Sequence, residues 1–139
     1  NLLPGRDYTA VAFGTLETIS AMAIEDDYAE LADGFIRVRA VHAAAGVGQV
    51  DIWNVTDGQT PGILWEDVDF AAAGGYFDLP ADAYSIGFDV DNDMVPDLTF
   101  DLPALAAGTV ANVFAVNDGG VYLLAQLEDG TTVPIDSTP

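Results

Sequence analysis

Alternation with a period of two runs through most of this chain and leaves it few folds to choose from. Tyr84, Ile86, Phe88 and Val90 alternate with Ser85, Gly87 and Asp89. Leu98, Phe100 and Leu102 alternate with Asp97, Thr99 and Asp101, and Ile36, Val38 and Ala40 alternate with Arg37 and Arg39. Half-buried strands read this way, because successive side chains point to opposite faces of a sheet. Turn signals separate the runs: Asp57-Gly58, Gly74-Gly75, Asp91-Asn92-Asp93, Asp118-Gly119-Gly120 and Asp129-Gly130. The pattern predicts strands near 7–14, 18–25, 35–42, 49–54, 62–70, 75–79, 83–90, 97–102, 109–117 and 121–128. Leu16 to Ala32 is the best helix candidate, but its repeat counterpart argues for strand. Many short strands at this spacing predict a sandwich or barrel.

An internal repeat refines the prediction. With Gly5 set over Gly108 and no gaps, residues 8–14 lie over 111–117, residues 21–27 over 124–130, and Leu2 over Leu105. The spacing is close to the ~100 residues of an immunoglobulin-like sandwich. Residues 1–27 are therefore expected to be the terminal two strands of a preceding module, or a complementing hairpin. Residues 28–33 read as a linker, 34–130 as a complete immunoglobulin-like antiparallel β-sandwich, and 131–139 as a C-terminal linker or tail.

The run Ile36-Arg-Val-Arg-Ala-Val-His-Ala-Ala, followed by Val50-Asp-Ile-Trp, resembles the opening of a bacterial and archaeal module known as domain of unknown function 4397. Phe77-Asp-Leu-Pro-Ala-Asp-Ala-Tyr is similar to that family's Leu-Pro-Ala-Gly-Thr-Tyr corner, with Asp82 in place of the glycine. Ala107-Gly-Thr-Val, running into Val113-Phe-Ala-Val, resembles its penultimate strand. Residues 4–16 resemble the same strand of a preceding copy. The resemblance implies tandem immunoglobulin-like modules in exported or cell-surface proteins and transfers no catalytic residues. Where the family has Ser-Pro-Asp after the histidine, this chain has Ala43-Ala44-Ala45-Gly46.

Charge removes several functions. There are 23 acidic residues against 3 basic ones, giving a net charge of −20, with one histidine and no cysteine. Nucleic acid or an anionic membrane needs basic patches that Arg6, Arg37 and Arg39 cannot make. A phosphate loop lacks its lysine, and one histidine does not make a zinc site. No apolar stretch approaches the ~20 residues of a membrane span. With half its residues hydrophobic, the chain still has an ordinary core. Asn1 is not an initiator methionine and no leader precedes the first strand, so a processed or excised piece is expected.

The sharpest chemical motif is the loop Asp89-Val-Asp-Asn-Asp-Met-Val-Pro-Asp97. Asp89, Asp91, Asp93 and Asp97, with the Val95 carbonyl and Asp101, form a candidate Ca²⁺ ligand set, since Ca²⁺ takes six to eight oxygens from tight acidic loops. The loop departs from the helical Ca²⁺-loop pattern: Met94 replaces the turn glycine, and Phe100 sits where a bidentate glutamate belongs. The alternative is a solvated acidic hairpin tip. His42 reads as a structural histidine at a strand end. Ser20, Ser85 and Ser137 lack the setting of a nucleophile, so no enzymatic activity is expected. Trp53, alternating with Val50 and Ile52, is expected to point outward. With Trp65 it is a candidate for stacking on carbohydrate or anchoring a partner. Asn54-Val-Thr56 is an N-glycosylation acceptor pattern.

Val11, Phe13, Met22 and Ile24 pose the remaining question. A two-stranded hairpin is marginal alone, so they must dock on the module in the same chain or complete a sheet in another. The expected function is a non-enzymatic structural or adhesive module of an extracellular, cell-surface or filamentous assembly, joined to other copies or adjacent modules by strand complementation. The alternative is a carbohydrate- or ligand-binding sandwich stabilised by Ca²⁺.

Overall fold

The structure, a computed structural model, describes residues 1–139 and is all β. Eleven strands follow in order: β1 (Asp7–Phe13), β2 (Ser20–Asp26), β3 (Phe35–Ala43), β4 (Val50–Asn54), β5 (Gly62–Val68), β6 (Phe77–Pro80), β7 (Tyr84–Asp89), β8 (Leu98–Leu102), β9 (Val110–Asn117), β10 (Val121–Leu127) and β11 (Thr132–Asp136). A five-stranded sheet, β11-β10-β9-β3-β6, faces a four-stranded sheet, β5-β4-β7-β8. Ile36, Val38, Ile52, Ile86, Phe88, Phe100 and Leu123 meet between them in the main core. Tyr84 opens β7 and donates its hydroxyl to the Pro80 carbonyl, 2.7 Å away. A tyrosine at a strand start bonded back to a carbonyl four residues upstream pins the turn between β6 and β7, as a tyrosine corner does.

The sandwich is not purely antiparallel. β3 and β9 run parallel, Arg37 opposite Val110 through Ala43 opposite Val116. A parallel pair needs a crossover connection, and the four-stranded sheet lies in the chain between the two. The C-terminal segment is also more than a tail. β11 pairs with β10, buries Ile135 in the core, and carries the chain to a Thr138 N–H bond with the Thr99 carbonyl on β8. Pro134 hides this strand from a sequence reading, yet proline is tolerated on a sheet edge.

β1 and β2 form a third layer. Their ladder is confined to themselves, Asp7 opposite Asp26 through Phe13 opposite Ser20. The hairpin lies on the outer face of the five-stranded sheet, where Phe13 and Ile24 pack with Val41 and Phe114, flanked by Val11, Met22, Val116 and Leu124. β3 is in consequence buried on both faces. The repeat is also visible here, with one correction. Asp7–Phe13 lies over Val110–Val116 as the ungapped register requires. Ser20 pairs with Phe13, however, as Tyr122 pairs with Val116. The first hairpin's turn is thus one residue longer, and an ungapped register would invert the faces of β2.

Candidate functional site

The joint between hairpin and sandwich holds the densest buried polar chemistry in the molecule. Sequence alternation puts Arg37 and Arg39 on the face of β3 opposite the core, and a lone sandwich would leave them in water. The end of the hairpin covers Arg39 and the connection after it covers Arg37, and the two are 5% and 8% exposed. The Arg39 Nη2 donates to Asp26 Oδ1 at 2.6 Å, its Nη1 to the Glu25 carbonyl at 2.7 Å, and its Nε to Asn112 Oδ1 at 2.7 Å. The guanidinium lies over the Tyr76 ring, 4.4 Å from its centre. Asp26, at the end of β2, also accepts from the Thr9 hydroxyl at 2.7 Å and from Asn112 Nδ2 at 3.1 Å. Asn112 Nδ2 reaches Gln126 Oε1 on β10 at 3.0 Å. A buried charge pair is costly when its atoms lack partners, and here every side-chain nitrogen of Arg39 and both carboxylate oxygens of Asp26 have one.

Arg37 secures the connection that follows. It grips Asp78 on β6 through two parallel bonds of 2.7 and 2.9 Å, and its Nη1 donates to the Ala29 carbonyl at 3.1 Å. The Asp78 carboxyl is held below its ordinary pKa by its hydrogen bond to Arg37. Burial, the largest cause, pushes the Tyr76 hydroxyl up to about 12. The third arginine, Arg6, pairs with Glu25 at 2.6 Å across the hairpin. All three cations of the chain therefore act on the hairpin or its tether. The sequence carried one signal of this: arginine is so scarce that two on alternate positions of one strand must have assigned partners.

The acidic loop brings together three of the six expected ligands. Carboxylate oxygens of Asp89, Asp91 and Asp97 lie within 4.8 Å of one another. Asp89 is fully buried and accepts the Asn92 and Met94 N–H groups at 2.7 and 2.8 Å, which fixes the turn. Met94 adopts a φ of 70°, the conformation a turn glycine takes. Asp91 is held above its ordinary pKa, chiefly by Asp93, with partial desolvation, Asp97 and Asp89 adding to it. Asp93 turns to the Val95 N–H at 2.8 Å. Asp101 stands apart on β8, accepting from the Ser85 hydroxyl at 2.6 Å.

The two tryptophans do not form one surface. Trp65 lies across from Ile52, packs against the main core and meets Phe77 edge-on at 5.2 Å. Its Nε1 donates to the Gly75 carbonyl at 2.7 Å, and a Cβ at Gly74 would collide with its indole. Trp53 is on the other face of β4, half-buried, opposite Gly87. A Cβ at Gly87 would stand 2.6 Å from Pro96 and 3.3 Å from Val55, so these side chains lie over this part of the sheet. Trp53 is thus only partly outward. Asn54 Oδ1 accepts from the Thr56 hydroxyl at 2.6 Å, and its Nδ2 donates to Gln59. His42 is buried, with Nε2 2.8 Å from the Gly48 carbonyl and Nδ1 accepting the Ala44 N–H. Space between the two sheets amounts to about 50 Å³ with an almost wholly apolar lining, far below the few hundred Å³ of an ordinary ligand pocket.

The fold and the joint define a class: a two-sheet β-sandwich with a hairpin clamped to its outer face. Residues 1–53 match the family model described as a domain of unknown function, DUF4397, which supports the resemblance; the match contains the motifs at 4–16, 36–44 and 50–53, and those at 77–84 and 107–116 lie outside it. The matched span holds both hairpin strands, the connection, and the arginine strand β3. No curated protein matches the chain.

Proposed function

We propose that this chain is a non-enzymatic structural or adhesive module of an extracellular, cell-surface or filamentous assembly, whose partners are other copies or adjacent modules. One observation supports the reading best. The seven buried polar or charged residues, Asp26, Arg37, Arg39, His42, Asp51, Asp89 and Asn112, all have partners within the chain. Four of them lie in the joint. Buried polar groups at a reaction centre are instead aimed at a substrate position. Light scattering over a concentration series tests the assembly, and protease shaving of intact source cells tests the location. Growth in mass with concentration and release from intact cells are expected. A chain that stays monomeric at millimolar concentration and is shielded in intact cells would overturn the proposal.

The convergence of Asp89, Asp91 and Asp97 favours an addition to this reading, a Ca²⁺ ion that stiffens the β7–β8 turn. Asp91 sits in a repulsive field, set chiefly by Asp93 with Asp97 and Asp89 adding to it, that a divalent cation would relieve. Calorimetry with Ca²⁺ should give heat and a raised melting temperature, both lost in Asp91→Asn. Neither effect at millimolar Ca²⁺ would end the idea.

A further inference from the structure

The clamped face of the hairpin is buried on the sandwich; its other face is bare. Ala10 pairs with Ala23 and Ala12 with Ala21, and all four are exposed. In a chain with 23 acids, the only charge alternating with these alanines is Glu25, and Arg6 neutralises it. The repeat gives this face a buried counterpart. By strand pairing, Ala10 and Ala12 correspond to Val113 and Ala115, and Ala21 and Ala23 to Leu123 and Ala125. Ala115, Leu123 and Ala125 are buried in the main core with Val113 packed on them, opposite the four-stranded sheet. Leu2 is 66% exposed, yet its counterpart Leu105 packs against that core. The free edge of β1 corresponds to the edge of β9 that pairs with β3. The same interface thus already exists once in this molecule, formed by the second hairpin.

We infer that the alanine face and the β1 edge form a docking surface for an incomplete β-sandwich of this chain's own kind. Its strands, equivalent to β3–β8, would be covalently continuous with Asn1. The small side chains suit such an occupant, since alanines opposite large aromatics let two sheets approach closely. The hairpin would then be shared: one face completes the occupant's core, and the other is locked to the next sandwich through Asp26 and Arg39. Neighbouring modules joined in this way would be held at a fixed angle. This deepens the assembly reading and rests on it.

The test places a second copy of residues 34–103 of this sequence ahead of Asn1 and follows the Ala12→Cys thiol, the only thiol present. In the chain as it stands, this exposed position should label at the rate of a free thiol. In the extended chain, labelling should be about 100-fold slower, the protection given by a docked state favoured by ~2.8 kcal/mol. Adding Ala10→Arg and Ala23→Arg should restore fast labelling and leave the extension open to protease, with the original 139 residues still folded. Fast labelling in the extended chain without those arginines would overturn the inference. So would slow labelling in the chain as it stands, which would assign the face to a second copy. Because docking here is within one chain, it can succeed or fail independently of light-scattering growth.

Discussion

Arg39 and Asp26 are each nearly excluded from solvent, with side-chain exposures of 6% and 3%. Two charges out of water stabilise little as a pair, but either one alone is costly. Asp26→Ala leaves the guanidinium buried beside Asn112 and Tyr76, and should lower stability by about 3–5 kcal/mol. Asp26→Leu combined with Arg39→Met should recover most of that loss. Urea unfolding midpoints check both, and equal losses in the single and double variants would show that charge isolation is not the cause. Tyr76 sets a limit at the alkaline end. An unfolded tyrosine ionises near 10.0 and the folded one near 12. The unfolded state therefore releases its proton first, and stability present below pH 10 is lost as pH rises between those values. Burial raises Tyr28 and Tyr84 as well, so absorbance of ionised tyrosine should show several late-titrating groups, of which the one near 12 is missing from Tyr76→Phe.

No backbone–backbone hydrogen bond joins the hairpin to the sandwich, because its ladder closes on itself; the contact is made by side chains and by the Glu25 carbonyl that accepts from Arg39. Its attachment should therefore be a separate, lower-stability unit. Phe13 is the largest apolar anchor on the hairpin side, 3% exposed and edge-on to Phe70 at 6.0 Å. Phe13→Ala should cost about 3–5 kcal/mol of docking. In that variant, β1 and β2 amides should exchange much faster while β9 amides keep most of their protection. Uniform acceleration across both would show that hairpin and sandwich unfold as one. β11 is the element the sequence concealed. The alternation Val133, Ile135 is short and broken by Pro134, so only the neighbouring β10 edge reveals it as a strand.

Over the whole molecule, the −20 charge is repulsion spread over a surface of 7797 Å². The screening length falls from roughly 30 Å at 0.01 M salt to about 3 Å at 1 M. Thermal midpoints should therefore climb steadily with sodium chloride. The Asp26→Leu, Arg39→Met variant should climb in parallel, since its removed charges are buried and opposite. A melting temperature that falls with salt would mean that the surface arginine contacts, such as Arg6 with Glu25, outweigh the repulsion.

Period-two patterning and turn dipeptides by themselves determined the all-β class, ten of the eleven strands, the hairpin repeat and the acidic loop. Each is a local property, legible because a strand's faces alternate in the sequence itself. The tertiary structure alone decided that β3 is buried on both sides, that Asp26 finds Arg39, and that Trp53 and Trp65 lie on different faces. It also decided which face of the hairpin is left open, because burial on the second side of a strand depends on what packs there. No pattern within the strand records the arrival of a distant hairpin. Only the scarcity of arginine hinted that those two charges had somewhere to go.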